Sequence, residues 1–338
     1  MGGVFIIAEA GVNHNGNIES AYELVDVAKK SGADAVKFQT FKSELIACRN
    51  LERASYQKDN MPDIEESQLE MIKKLELSYE SFYKLKEYCD RKGILFLSTT
   101  ADIPSTNFLA PLVSVFKVSA SDLTNRPLLK NLALKGKPII LSTGMGTLSE
   151  VKEAVNFIKQ SQHKYRINPS VISLLHCTTS YPCPYNEVNL KAMCTLKKIF
   201  GVAVGYSDHT LGIEVPIAAV AMGASIIEKH FTLDRSLPGP DHKASLEPTE
   251  LMAMVRAIRN IETALGDGQK IPTPSELKNK PIARKSIVAA KEIAVGDIFT
   301  EENLIVKRPG TGISPMRWDE LIGQVAQRNY EKDDLIDA

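Results

Sequence analysis

The chain is 338 residues long and carries 41 Lys+Arg against 41 Asp+Glu, so its formal net charge is zero. That balance lacks the basic excess of a nucleic-acid binder, and 43% hydrophobic with 24% charged residues is the composition of a folded chain rather than a disordered one. No apolar run approaches the ~20 residues needed to cross a bilayer, and the five cysteines are too scattered for a disulfide framework. The expectation is a cytoplasmic protein of about two domains, with neither nucleic acid nor membrane as a partner.

Strand-like and helix-like segments alternate along the first two thirds of the chain. Phe5–Glu9 reads as a strand and Ile18–Ser31 as the helix after it. Ala35–Phe38 is followed by Tyr79–Lys92, Leu95–Ser98 by Ile103–Leu109, and Val115–Ser119 by Arg126–Lys135. Pro138–Ser142 precedes Ser149–Gln160, where Val151, Ala154, Val155 and Ile158 recur at helical spacing and Ser149 is the expected N-cap. Val171–His176 leads to Asn189–Phe200, Val202–Tyr206 to Pro216–Met222, and Ser225–His230 to Thr249–Leu265.

Strict alternation implies parallel strands joined by right-handed crossovers, and eight such units over residues 1–265 predict a (β/α)8 barrel. A doubly wound open sheet is the rival, but neither GxGxxG nor a Walker lysine follows Phe5–Glu9. Residues 266–281, GDGQKIPTPSELKNKP, read as a linker. Residues 282–338 are too few for another set of α/β units. With Ser286–Ala289, Leu304–Lys307 and a faint echo between 293–299 and 329–336, they predict a small, mostly β domain.

In such a barrel the chemistry belongs at the C-terminal ends of the strands. Those positions hold Glu9, Lys37, Gln39, Thr99, Lys117, Ser119, Ser142, Ser207, Asp208, His209, Glu228 and His230. His209 and His230 occupy equivalent points one unit apart. Neighbouring parallel strands lie ~4.8 Å apart, so both imidazoles can reach one ion, suited to Mn, Fe, Co or Zn. The bland alternative is two hydrogen-bonded core histidines. Lys37 and Lys117 sit within apolar runs. They fit clamps for a phosphorylated anion, a Schiff-base nucleophile of an aldolase, or buried partners of Glu9 or Glu228. Glu9 is a candidate base or simply the partner of Lys37. Asp241, in the rigid segment Pro238–His242, and Tyr181, in SYPCPY, are candidate contacts on the loops after strands eight and six.

Several segments together resemble the sialic acid synthase family: IAEAGVNHNG at 7–16, KFQTFK at 37–42, LSTGM at 141–145, LLHCTTSYP at 174–182, GYSDHTLG at 205–212, EKHFTLD at 228–234 and PGPDH at 238–242. The tail, with KRPGTGISP at 307–315, resembles the antifreeze-like (SAF) domain carried by these synthases. The resemblance implies a metal-dependent condensation of phosphoenolpyruvate with an open-chain N-acetylated amino sugar, giving a nine-carbon 2-keto sugar acid and phosphate. His209 and His230 would then hold a divalent ion (Mn, Mg or Co), and Glu9 would act as base. Lys37, Thr99, Lys117, Ser142 and Ser207 match positions around phosphoenolpyruvate, with Ser119 flanking them. Gln39, Tyr181 and Asp241 match sugar contacts. Arg308 matches an arginine that reaches the partner's site, which implies a domain-swapped homodimer. The chain departs from the family pattern in places: the usual STPF after strand three reads Ser98-Thr99-Thr100-Ala101, Ala120 replaces a serine, Asp122 replaces a sugar-contacting glutamate, and Thr179 stands where asparagine is common. N-acetylmannosamine is the sugar expected first. The alternative is a 2,4-diacetamido-2,4,6-trideoxy sugar, as in the legionaminic and pseudaminic acid pathways. A non-catalytic sugar-binding barrel is the reading from a different class.

Overall fold

The computed structural model describes residues 3–62 and 65–337. The chain divides into two compact units, Met1–Gly266 and Asp267–Ala338.

In the first unit eight parallel strands close into a barrel: β1 (Phe5–Gly11), β2 (Ala35–Thr40), β3 (Leu95–Thr100), β4 (Phe116–Val118), β5 (Ile139–Ser142), β6 (Ile172–His176), β7 (Val204–Asp208) and β8 (Ile226–His230). The ring is sealed by β8 against β1, with Glu9 opposite His230. Alternate residues point inward. At the N-terminal end those inward positions are apolar, and Ile7, Ala35, Leu97, Ile140, Leu175 and Ile226 form a plug. One or two steps further along the same rows come Glu9, Lys37, Thr99, Lys117, Ser142, Ser207 and Glu228, all buried. The outward positions pack against the helices. In Ile18–Lys30, for example, Ala21, Leu24, Val25 and Ala28 form the buried stripe, and the Asn17 side chain accepts from the Glu19 and Ser20 amides. Gly205 of β7 leaves no room for a side chain, since a Cβ there would lie 2.2 Å from the Ile226 carbonyl oxygen.

Two local expectations need correcting. Thr147, not Ser149, caps the helix Leu148–Lys164: its hydroxyl accepts from the Glu150 amide, and the Glu150 carboxylate accepts from the Thr147 amide and hydroxyl. The long stretch between β2 and the helix Tyr79–Lys92 is also structured. It forms three short helices, Ser43–Ile46, Ser55–Asn60 and Gln68–Leu75. The last is started by a reciprocal Ser67–Glu70 capping box.

In the second unit β9 (Ser286–Ala289) and β10 (Leu304–Lys307) pair antiparallel. Isolated bridges join Val288 to Leu335, Ile293 to Tyr330 and Ile298 to Val325, so the two echoing segments meet each other. Ile287, Ile293, Phe299, Leu304, Leu321, Tyr330 and Ile336 give this unit its own small core. Residues 266–281, expected as linker alone, include most of a helix, Pro274–Ala283. Thr273 caps it and Pro274 occupies its first turn, where a missing N–H costs nothing. Among the described residues no helix is long and apolar enough to cross a membrane.

Candidate active site

The polar ends of the barrel strands open into one cavity of about 410 Å³. Its lining includes Glu9, Lys37, Gln39, Thr99, Lys117, Ser119, Ser142, Thr179, Tyr181, Ser207, His209, His230 and Asp241, so the structure brings nearly all the predicted site residues together.

At the floor lies a buried charge cluster. Lys37 Nζ is 2.7 Å from Glu9 Oε2, donates to Thr99 Oγ1 at 2.7 Å and stands 3.8 Å from Glu228 Oε2. Lys117 Nζ is 3.3 Å from Glu228 Oε1, which also accepts from Ser207 Oγ at 2.9 Å. The two carboxylates are pushed apart. Burial raises Glu9 from 4.5 to about 7 against the pull of Lys37. For Glu228 the opposing burial is outweighed by Lys117 and Lys37, and its carboxyl falls to about 2. Burial lowers Lys117, and Glu228 opposes that shift. Glu228 is thus a fixed anion between two ammonium groups, while Glu9 gains and loses its proton near neutrality.

The histidines follow the strand register. Asp208 pairs with Lys229, which carries His209 and His230 into adjacent positions with ring centroids 5.5 Å apart. Behind them the buried Lys229 ammonium binds Asp208 at 2.6 Å and donates to the Thr210 carbonyl, tying the two strand ends together. His209 Nδ1 lies 2.6 Å from the Thr178 carbonyl, which can only accept, so that nitrogen carries the proton and Nε2 keeps its lone pair. Burial lowers His209 to about 4 and His230 well below its ordinary value, His209 adding to the second shift. Both rings are neutral, the form that binds metals, and His230 Nδ1 is buried without a hydrogen-bond partner. Among the described residues no group of three or more His, Cys, Asp or Glu is arranged to hold a metal. The free His209 Nε2 and the unpartnered His230 Nδ1 have the chemistry of a two-nitrogen donor set. The hydroxyl of Thr179 and the Oε2 of Glu228 are likewise buried without hydrogen-bond partners. An uncharged buried atom such as the Thr179 hydroxyl costs about 1–3 kcal/mol until something satisfies it, while Glu228 Oε2 faces the Lys37 ammonium at 3.8 Å.

The walls come from loops. Tyr181 lays its ring 4.1 Å from that of His209 and 5.0 Å from that of Tyr56. Asp241 Oδ2 is 3.9 Å from His230 Nδ1, and burial lifts its carboxyl to about 6. Its loop is pinned by Asn15 donating to the Pro238 carbonyl at 2.9 Å and Asn60 donating to the Pro240 carbonyl at 2.6 Å. Asp122 does not join the cavity lining. It closes a single turn, Ala120–Asp122, where its carboxylate accepts from Asn125 Nδ2 at 2.8 Å. Arg308 belongs to the second unit, exposed just after β10.

Strand-end reasoning does not reach the wall contributed between β2 and β3. Tyr56, Gln57, Gln68, Met71, Ile72 and Leu75 line the cavity from there. The signal was present: Ser67-x-x-Glu70 is a helix start, and 68, 71, 72 and 75 share one helical face.

Residues 24–270 match the NeuB family, and residues 284–338 match the SAF domain. The chain belongs to the NeuB family, the sialic acid synthases. It is 51% identical over 332 residues, 98% of each chain, to the N,N'-diacetyllegionaminic acid synthase of Campylobacter jejuni. It is 48% identical over 330 residues to the enzyme of the same name from Legionella pneumophila, covering 96% of this chain and 91% of that one. The crystal structure of the N-acetylneuraminic acid (sialic acid) synthetase from Leptospira borgpetersenii superposes with a TM-score of 0.70 at 38% identity, covering 82% of this chain and 90% of the other. The chain is accordingly a synthase of the nonulosonic acid class, a phosphoenolpyruvate-dependent transferase that forms a carbon–carbon bond.

Proposed function

We propose that the chain condenses phosphoenolpyruvate with the open-chain aldehyde of 2,4-diacetamido-2,4,6-trideoxy-mannose, giving N,N'-diacetyllegionaminate and inorganic phosphate. The observation that carries the reaction is the pair of buried ammonium groups, Lys37 and Lys117, at the floor of the cavity that also holds two neutral histidines. The choice of sugar follows the two relatives named N,N'-diacetyllegionaminic acid synthase, at 51% and 48% identity. They favour this sugar over N-acetylmannosamine, the one expected first from the sequence.

In this reading C3 of phosphoenolpyruvate bonds to the aldehyde carbon, and the aldehyde oxygen takes up a proton. Water adds to C2 of the former enol, its second proton is removed, and the C2–O bond to the phosphate breaks, leaving a ketone. Lys37 and Lys117, with the hydroxyls of Thr99, Ser142 and Ser207, receive the phosphate and carboxylate by charge-assisted hydrogen bonds. Glu9, poised near neutrality at the edge of this cluster, takes the proton of the incoming water. His209 and His230 would hold a divalent ion (Mn, Mg or Co), which when bound polarises the aldehyde oxygen. Gln39, Ser119, Thr179, Tyr181 and Asp241 orient the sugar. In a homodimer Arg308 of one chain completes the sugar end of its partner's site. The Schiff-base reading, on Lys37 or Lys117, fits less well, because Lys37 Nζ is engaged by Glu9 and Thr99 and Lys117 Nζ faces the Glu228 carboxylate.

The test is a reaction with phosphoenolpyruvate labelled with ¹⁸O in the bridging position. The label is expected in the released phosphate, one per molecule of product with the mass of N,N'-diacetyllegionaminate. Label kept in the sugar acid, or no product of that mass, would overturn the proposal.

A further inference from the structure

The cavity has two unlike sides. The β4–β6 side is polar, with Lys117, Ser119 and Ser142. Beyond the charged strand ends of β1 to β3 stands a wall of hydrocarbon and thioether, Val12 after β1, Phe41 after β2, and Ile46, Met71, Ile72 and Leu75 from the inserted helices, with Gln57 and Gln68 among the cavity's other lining residues from these helices. These six also belong to one packed apolar cluster, separate from the barrel plug and from the main core. Met71, Ile72 and Leu75 fall at helical spacing on the helix Gln68–Leu75, so the wall is a built helix face rather than a chance exposure.

Resting on the function proposed above, we infer that this wall seats the C6 methyl group of a 6-deoxy sugar and so selects deoxy over hydroxylated substrates. Such a sugar ends in three methyl groups: the two acetyl methyls each sit beside a carbonyl and an N–H that need partners, and the C6 methyl ends the carbon chain furthest from the reacting aldehyde. Phosphoenolpyruvate is drawn to Lys37 and Lys117 at the cavity floor, which leaves the apolar wall to the tail of the sugar. A hydroxymethyl in place of the methyl would bury a hydroxyl against six side chains that offer it no hydrogen bond, a discrimination of about ten- to a hundredfold.

The experiment compares kcat/KM of the full-length enzyme for 2,4-diacetamido-2,4,6-trideoxy-mannose and for its 6-hydroxy counterpart, 2,4-diacetamido-2,4-dideoxy-mannose, in the wild type and in Ile72→Gln and Ile72→Leu. The wild type is expected to favour the deoxy sugar by about tenfold or more. Ile72→Gln, which keeps a good helix former but offers an amide, should bring the ratio close to one. Ile72→Leu should keep the wild-type ratio, and a purely structural defect would lower both sugars together. Equal use of the two sugars by the wild type, or a ratio that Ile72→Gln leaves in place, overturns the inference while the proposed function stands. Turnover of N-acetylmannosamine with neither diacetamido sugar used overturns both.

Discussion

Replacing Glu9 by Gln separates what this carboxylate does for catalysis from what it costs the fold. Burial lifts Glu9 from 4.5 to about 7 even with the Lys37 ammonium 2.7 Å away. Below about pH 4.5 the folded and unfolded chains both hold the proton. Between 4.5 and 7 the unfolded chain loses it while the folded chain keeps it, so stability falls as pH rises, and above 7 the whole cost is present. At ~1.4 kcal/mol per pH unit this amounts to about 3 kcal/mol. Gln imitates the protonated carboxyl, so Glu9→Gln should be more stable than the wild type by up to about that amount at pH 8 and no more stable at pH 4. Urea unfolding in EDTA at the two pH values measures it. Activity should move the other way. In the wild type, kcat/KM should rise about tenfold per pH unit below 7 and level off above it. Glu9→Gln should lose that limb and fall about 10²- to 10⁴-fold at the plateau. A variant less stable at pH 8, or one that keeps both the activity and the limb, would refute the assignment of Glu9 as a strained base.

Other perturbations probe other parts of the site. Lys117→Gln should raise the KM for phosphoenolpyruvate about ten- to a hundredfold with a smaller change in the KM for the sugar, because a charge-assisted bond of about 1.5–3 kcal/mol is lost; steady-state kinetics varying each substrate in turn separates the two. His230→Ala should abolish the divalent metal retained after loading and gel filtration, read by mass spectrometry, while circular dichroism stays as in the wild type; unchanged metal content would refute the ligand role. Gly205→Ala should prevent soluble expression or lower the melting temperature by many degrees, since its Cβ would press on the Ile226 backbone at 2.2 Å. Mixing inactive Glu9→Gln and Arg308→Ala chains should restore activity through mixed dimers, and a mixture as inactive as its components would refute the shared site.

The barrel was legible because a parallel strand buried on both faces reads as a short apolar run, and eight such runs separated by helical periodicity leave few topologies. The site was legible for the same reason. A lysine, a glutamate or a histidine inside a run such as AVKFQ or IIEKH has no solvent to face, and one at an inward position of the alternation reaches the mouth of the barrel. Glu228 shows the limit of that reasoning. It was visible as a charge partner, but its place between Lys117 and Lys37 depends on strand register, which no local pattern gives. Lys229 is harder still, since it looks like another inward charge yet faces outward to hold Asp208. The three helices between β2 and Tyr79 were hidden for another reason. Two of them are only 4 and 6 residues long, too short for periodicity to stand out from turn-like composition, and the third, of 8 residues, shows only in its Ser67–Glu70 start and one short apolar face. Resemblance aligns positions and not side-chain directions: Asp122 matches a sugar contact, while here its carboxylate accepts from a nearby asparagine, Asn125.

The most direct measurement is a competition in one vessel. The wild-type enzyme, phosphoenolpyruvate and a divalent metal are given equal concentrations of 2,4-diacetamido-2,4,6-trideoxy-mannose and N-acetylmannosamine, and the two nonulosonic acids are quantified by mass spectrometry at low conversion. N,N'-diacetyllegionaminate should exceed N-acetylneuraminate by about tenfold or more. An excess of N-acetylneuraminate would contradict the account.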